Sequence, residues 1–550
     1  MKHHTAFLIH GPPGTGKTKT ICEAVNQLAK DPKFQGSILL CAPSDQAADM
    51  LVMRLRAHFS PRVLFRLNSF TRDFAEVPQE ILLYCYVERD FFGLPPFPNL
   101  MAFKVVVTTC QSADILVQAS VTNRDLAYLE GSLRAMIHPV NPDQESKAMR
   151  GTALHWGALI IDEAAQATEL ETLVPLCVVA PASSHNLWIN DASSQRKDAV
   201  QDPIFVMAGD QHQLSPRTYS KATTLHISLF ERLSTRPLYA SHPLVRGKAQ
   251  RKKKDLPLMT HWPPLVTLIR NYRSHTAILA VPSSLFYKNT LIPEATDCDS
   301  LLPWNKWRGR RWPVLFACNG GIDDCEDLRA SGGAGWYNVR EAHMAIHYAQ
   351  DLLASGLIQN QPDICIMSPF RAQVRILRAA ARDLGLWGLN IGPMEAFQGL
   401  ESQFVIICTT RARSRFLDPD KVRGIGIIGE PKKFNVAITR AKKGLIVLGN
   451  PWVLATDPCW LAFMRFCWRN GLWEQDPSGP MMEGEEGRVN EWAPERDEAE
   501  TVEGLEAALV YKENDPWTGG SRAVQRFMGE SLEDRMYRVG LEAEAAVGYY

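Results

Sequence analysis

Short apolar runs broken by helical patterns set the rhythm of the chain's first half. Ala6–His10, Ile38–Ala42, Val105–Thr108, Ala158–Ile161 and Ile204–Ala208 have strand length. Helix-period segments such as Thr20–Leu28 stand between them, the alternation that a parallel α/β sheet requires. Insertions around 60–100 and 115–155 and a Ser/Asp/Gln-rich loop near 182–202 interrupt it. A basic stretch, Arg246–Lys254 between Pro243 and Pro257, marks a loop at a domain boundary. The alternation then restarts. Val266–Ile269, Val314–Ala317, Ile364–Met367, Val405–Thr409 and Leu445–Leu448 predict strands, separated by helices over Val339–Leu353 and Ala372–Leu384. The pattern predicts two tandem α/β domains with parallel sheets, 1–240 and 263–475, joined by a basic linker at 241–262. Beyond Gln475 the chain turns acidic and rich in Gly, Pro and Glu, which predicts a disordered or loosely helical tail over 476–550.

Composition excludes alternatives more than it adds. Apolar residues at 45% and charged residues at 22% are ordinary for a globular protein. No apolar run approaches the roughly 18 residues of a membrane-spanning helix, and the start lacks the pattern of a signal peptide. The 12 cysteines show no CxxC pair or zinc-like spacing, which fits core residues of a reducing compartment. A cytoplasmic protein without a membrane partner is the expectation. The net charge of 0 conceals an uneven distribution: the tail holds 18 acidic and 7 basic residues, leaving a basic body that suits a polyanion partner.

Gly11-Pro-Pro-Gly14-Thr15-Gly16-Lys17-Thr18 has the GxxxxGK[ST] spacing and stands between a predicted strand and a predicted helix. Gly11, Gly14, Thr15 and Gly16 would let backbone amides face phosphates at a helix N-terminus. Lys17 would reach the β- and γ-phosphates of ATP, and Thr18 would offer its hydroxyl to Mg2+. The apolar run Ala158–Ile161 ends in Asp162-Glu163. Asp162 would hold Mg2+ through its water shell, and Glu163 would polarise the attacking water. An acidic pair at a strand end also serves as a helix cap, but downstream of a P-loop the chemical role outweighs it.

Further segments point to a task. Gly209–Pro216 (GDQHQLSP), Leu268–His275 (LIRNYRSH), Glu395–Glu401 (EAFQGLE) and Asn435–Lys442 (NVAITRAK) resemble the third to sixth motifs of superfamily 1 helicases. Cys41–Asp45 and Thr108–Cys110 resemble motifs Ia and Ib. The Asp162–Gln166 segment and Asn271–His275 look like the Upf-like helicases. Phe65–Asn68 with Val77-Pro78, and Gly449–Pro451 through Gly471, look like the Armitage/Moloney-leukaemia-virus-10 branch.

That resemblance implies two RecA-like P-loop NTPase domains and a monomeric, ATP- and Mg2+-dependent RNA helicase or translocase. It would act on single-stranded RNA, in the 5′-to-3′ direction, with ribonucleoprotein or silencing-complex partners, in RNA silencing or turnover. DNA as the track stays open, as does an ATP-gated clamp that barely unwinds. Gln213 can hydrogen-bond both the γ-phosphate and the attacking water. Arg273 and Arg440 could serve as arginine fingers, the bland alternative being surface ion pairs. By resemblance Tyr272 stacks on the base and Glu401 binds the ribose. Pro43, Ser44, Thr108 and Thr109 would grip a nucleic-acid backbone, although Ser and Thr at strand ends are ordinarily caps. The basic Arg246–Lys254 loop adds attraction, or serves as a solvated loop or nuclear-import signal.

The sequence departs from the family at Asp45, where an Asn is usual. A carboxylate there would repel a phosphate backbone unless turned away. The family's upstream glutamine motif, β-barrel and helical stalk are not in this sequence, which suggests a truncated product or a reduced motor. Two decoys stand apart: His343 and His347 read as helix surface rather than zinc ligands, and Trp304, Trp307 and Trp312 as a half-buried insertion packed on the second domain rather than a base-stacking platform.

Overall fold

The computed structural model describes residues 6–34, 36–137, 154–181, 203–218, 223–240, 264–326, 335–397, 399–414, 417–422 and 424–475. The basic linker, the 182–202 loop, the acidic tail and Gln398 lie outside the described residues. The chain divides into two units: residues 1–12 with 16–268, and residues 13–15 with those from 269 onward.

The first unit is built on β1 (Phe7–His10), β2 (Ser37–Ala42), β3 (Leu64–Arg66), β4 (Val105–Thr109), β5 (Trp156–Ile161), β6 (Ile204–Gly209) and β7 (Leu265–Thr267). They form one parallel sheet in the order β3-β4-β2-β5-β6-β1-β7. Central strands of a parallel sheet are covered on both faces and therefore read as continuous apolar runs. Along β2 successive side chains enter opposite cores: Leu39 and Cys41 join Leu8, Leu159 and Phe230, while Ile38 and Leu40 join Ile21 and Val25. Ile21 and Val25 come from α1 (Lys17–Lys30), their spacing of four placing them on one helix face. The strand expected at Val266–Ile269 differs from the sequence reading. Leu265–Thr267 pairs with β1 and closes the first sheet instead of opening the second.

The second unit repeats the architecture with β8 (Val314–Cys318), β9 (Ile364–Ser368), β10 (Asn390–Pro393), β11 (Ser402–Cys408), β12 (Ala441–Gly449) and β13 (Trp473–Glu474). Their order is β10-β9-β11-β12-β8-β13, again parallel. Helices α2 (Val339–Ala354) and α3 (Arg371–Asp383) pack on one face, and α4 (Pro458–Arg469) on the other. The three tryptophans are core residues. Trp304 and Trp307 lie edge-on to each other, their centroids 5.1 Å apart, and Trp312 stacks on Phe466. They are more deeply buried than the sequence suggested: Phe404 of β11 packs against Trp304 and Trp307, while Trp312 lies in the core on the other side of the sheet. His343 and His347 are exposed on α2. No group of three metal-ligating side chains, and no helix long and apolar enough to cross a membrane, occurs among the described residues.

Candidate nucleotide site and strand-end surfaces

Three loops meet at the carboxyl end of the first sheet, because β5, β6 and β1 are neighbours. This is where open parallel sheets present ligand-binding loops. After β1 the P-loop turns through Gly14 (φ 70°) and Gly16 (φ 81°), left-handed conformations that a side chain would strain. Lys17 opens α1, and its Nζ lies 2.9 Å from Glu163 Oε1. Burial works against the charge on Lys17, yet Glu163 and then Asp162 and Asp210 hold its pKa above the ordinary value. Asp162 is almost wholly buried, and desolvation raises its carboxyl against the pull of Lys17 and a Thr18 hydrogen bond. A buried carboxylate beside a hydroxyl is a hard-oxygen pair that a Mg2+ ion would relieve, so Thr18 and Asp162 fit the metal assigned to them.

Glu163 has φ 51°, a left-handed conformation uncommon for a residue with a side chain. Its own N–H is held by Asp162 Oδ1 at 2.8 Å, and Gln166 Nε2 donates to its Oε2 at 2.7 Å. Strain of this kind persists only where neighbours impose it. Here it aims the carboxylate back toward Lys17. Gln166 had marked the branch in the sequence but carried no assigned role; the structure makes it the brace of Glu163.

Gln213 is buried, and its Nε2 donates to Asp210 Oδ2 at 2.9 Å. Asp210 has no role in the sequence beyond its place in the Gly209–Pro216 motif. It is in fact the anchor of that loop, also accepting the His212 N–H.

In the second unit Asn271 is fully buried and its Oδ1 accepts the N–H groups of Arg273 and Ser274. The crest of the P-loop, Pro13–Thr15, groups with this unit, and Asn271 Nδ2 donates to the Pro13 carbonyl at 2.7 Å. Tyr272 is 57% exposed. Arg273 Nε lies 2.7 Å from Glu401 Oε2, and Lys442 Nζ lies 2.5 Å from Glu401 Oε1. The structure thus joins Arg273 and Glu401 in one ion triad. Burial would raise the Glu401 carboxyl, but Arg273 and Lys442 bring it below the usual range. Arg440 differs. It is 3% exposed, and its guanidinium donates to the carbonyls of Val436 and Leu400, both at 3.1 Å.

At the carboxyl ends of β9 and β11, Thr410 adopts φ 71° and gives its N–H to Glu341 Oε1 at 3.0 Å. Burial pushes the Glu341 carboxyl up to about 8, against hydrogen bonds from Thr410 and Thr409.

Pro43, Ser44, Thr108 and Thr109 are brought together, since β2 and β4 pair with Ala42 opposite Thr109. The three hydroxyls among them already have tasks. Thr108 donates to the Leu67 carbonyl in the interior, Ser44 accepts from the Ala47 N–H at the start of a helix, and Thr109 donates to Ser112 Oγ. Asp45 is turned to buried Arg66, whose Nη2 lies 2.8 Å away, while Asp49 accepts from the same guanidinium. The carboxylate is thereby neutralised by the protein.

Family descriptions and relatives agree with this geometry. Residues 1–72 and 256–451 each match a family described as "AAA domain". The chain is 33% identical over 479 residues to "RNA helicase Mov10l1" of Homo sapiens, covering 85% of this chain and 34% of that protein. The Mus musculus protein of the same name is 32% identical, with shares of 85% and 34%. "Probable RNA helicase armi" of Drosophila melanogaster is 27% identical, with shares of 85% and 37%. Over 85% of its length the chain is thus similar to the Upf-like superfamily 1 helicases of the Armitage/Moloney-leukaemia-virus-10 branch. It spans little more than a third of the length of these curated relatives. Within this family the two parallel-sheet units are RecA-like, and a nucleoside triphosphate is the ligand the P-loop implies.

Proposed function

We propose that the chain is an ATP-hydrolysing motor acting on single-stranded RNA, in the 5′-to-3′ direction, in RNA silencing or turnover. The observation that supports this most is the gathering of Lys17, Asp162, Glu163 and Gln213 on three adjacent strand ends of one sheet. A cation for the phosphates, a carboxylate for the attacking water and an amide that can sense the γ-phosphate are the parts phosphoryl transfer needs. Mg2+, held by Thr18 and Asp162, would neutralise phosphate charge. Lys17 would exchange Glu163 for the phosphates, which frees that carboxylate, braced by Gln166, to orient water. RNA as the track rests on the relatives being named RNA helicases, and the polarity on family resemblance.

The experiment is strand displacement. Duplexes with a single-stranded RNA tail on either the 5′ or the 3′ side, and matched DNA versions, are incubated with ATP. The proposal expects displacement from the 5′-tailed RNA substrate. Equal ATP turnover without displacement of any duplex would leave an ATP-gated clamp as the better description.

A further inference from the structure

β1 ends on His10, immediately before the P-loop glycine Gly11. The imidazole is 16% exposed, and its Nε2 lies 3.5 Å from Asp210 Oδ1. The register explains the meeting: His10 pairs with Gly209, which places it beside the residue that follows β6. Asp210 is 1% exposed. One of its oxygens takes the His212 N–H at 3.0 Å and faces His10, and the other takes Gln213 Nε2 at 2.9 Å. Burial alone would raise this carboxyl. The nearby imidazole of His10, then that of His212 and the Gln213 amide, bring it well below the usual range. Lys17 adds positive charge from the P-loop side. An ionised carboxylate accepts more strongly than a neutral one, so each donor firms the grip on the others.

We propose that His10 is a positioning residue for hydrolysis, its imidazole standing against Asp210 with Nε2 3.5 Å from Oδ1 and so fixing the carboxylate that holds Gln213. The inference rests on the reading of Gln213 as the group that meets the γ-phosphate and the attacking water. Without His10, Asp210 keeps its amide donors but loses the side-chain partner on the β1 side. Gln213 then samples orientations unsuited to the water, while the P-loop amides and Lys17 still hold the nucleotide. The expected signature is a fall in kcat without a fall in ATP affinity.

The test compares His10→Phe, His10→Gln and Gln213→Ala in the full chain, measuring kcat, binding of a fluorescent ATP analogue and thermal unfolding. His10→Phe should lower kcat roughly tenfold, as for one lost polar contact to a charged group, with ATP affinity within about twofold. His10→Gln, which restores a donor, should recover most of the loss. Should the Phe variant not fold, His10→Ala takes its place. Normal turnover in His10→Phe beside a crippled Gln213→Ala overturns the inference and leaves the function standing. So does a Gln variant no better than Phe, or a parallel loss of ATP binding. Normal turnover in Gln213→Ala overturns the reading of the site itself, and this inference with it.

Discussion

The two units handle charge differently at the ends of their sheets. In the first, Lys17 and Glu163 form a pair with side chains only 8% and 19% exposed, above an almost buried Asp162. In the second, Glu401 is 39% exposed and bridges Arg273 at 13% and Lys442 at 34%. Desolvation strengthens every interaction of the first group and makes an unpaired charge there costly, whereas solvent screens the second. The first arrangement holds charges ready for a ligand that replaces one partner by another. The second is a looser clasp whose members exchange partners at little cost. Arg440 belongs to neither: three-percent exposed and bonded to main-chain carbonyls, it is built into the scaffold.

Arg440 therefore gives the sharpest contrast. Arg440→Ala should reduce kcat by roughly 10³ if it serves as an arginine finger, with ATP affinity changed only a few fold. It should also lower the unfolding temperature, because the carbonyls of Val436 and Leu400 lose their donor. Arg440→Lys should rescue little, since one ammonium cannot replace the planar fork. A lower unfolding temperature with normal turnover would assign Arg440 to the scaffold alone.

Glu163→Gln comes next. It should keep ATP binding while lowering kcat by roughly 10² or more, because the water loses its carboxylate. Near-normal turnover would remove Glu163 from the chemistry.

These residues were legible in the sequence because a P-loop and an acidic strand end are defined by backbone spacing, which local sequence sets. Other parts were not. Thr108 has the residue type of a phosphate donor, yet its hydroxyl goes to Leu67 across 41 residues of chain, a pairing no local pattern announces. β3 is not legible as a strand, because its buried Arg66 reads as surface until Asp45 and Asp49 are brought against it. The sheet that receives Leu265–Thr267 is likewise chosen by a strand more than 250 residues earlier. The two domains were recognisable from their alternation, but not where one sheet stopped gaining strands.

A smaller effect concerns pH. Glu341 has its pKa pushed up to about 8 by burial, from an ordinary value of 4.5. Between those values the folded chain holds a proton that the unfolded chain has released, so stability should fall as pH rises across that window. Glu341→Gln keeps an acceptor for Thr410 and cannot ionise. Thermal unfolding from pH 5 to 8 should show a decline in the parent chain that is reduced in the variant. Identical profiles would show that Glu341 does not titrate in this range.

The smallest effect lies in the exposed clasp. Glu401→Gln should weaken ATP binding by only a few fold, while narrowing any preference for ATP over 2′-deoxy-ATP, if Glu401 meets the ribose. An unchanged preference would leave Glu401 as the counter-ion of Arg273 and Lys442.

The proposed function requires that nucleotide chemistry in this chain answer to single-stranded nucleic acid. It is tested most directly by steady-state ATP hydrolysis with and without single-stranded RNA, with matched DNA alongside and salt as the second variable. The account predicts turnover that rises on adding RNA of mixed sequence and a stimulation that weakens as salt increases, because phosphate contacts dominate binding. Turnover that proceeds at the same rate whether or not any polynucleotide is present would contradict it.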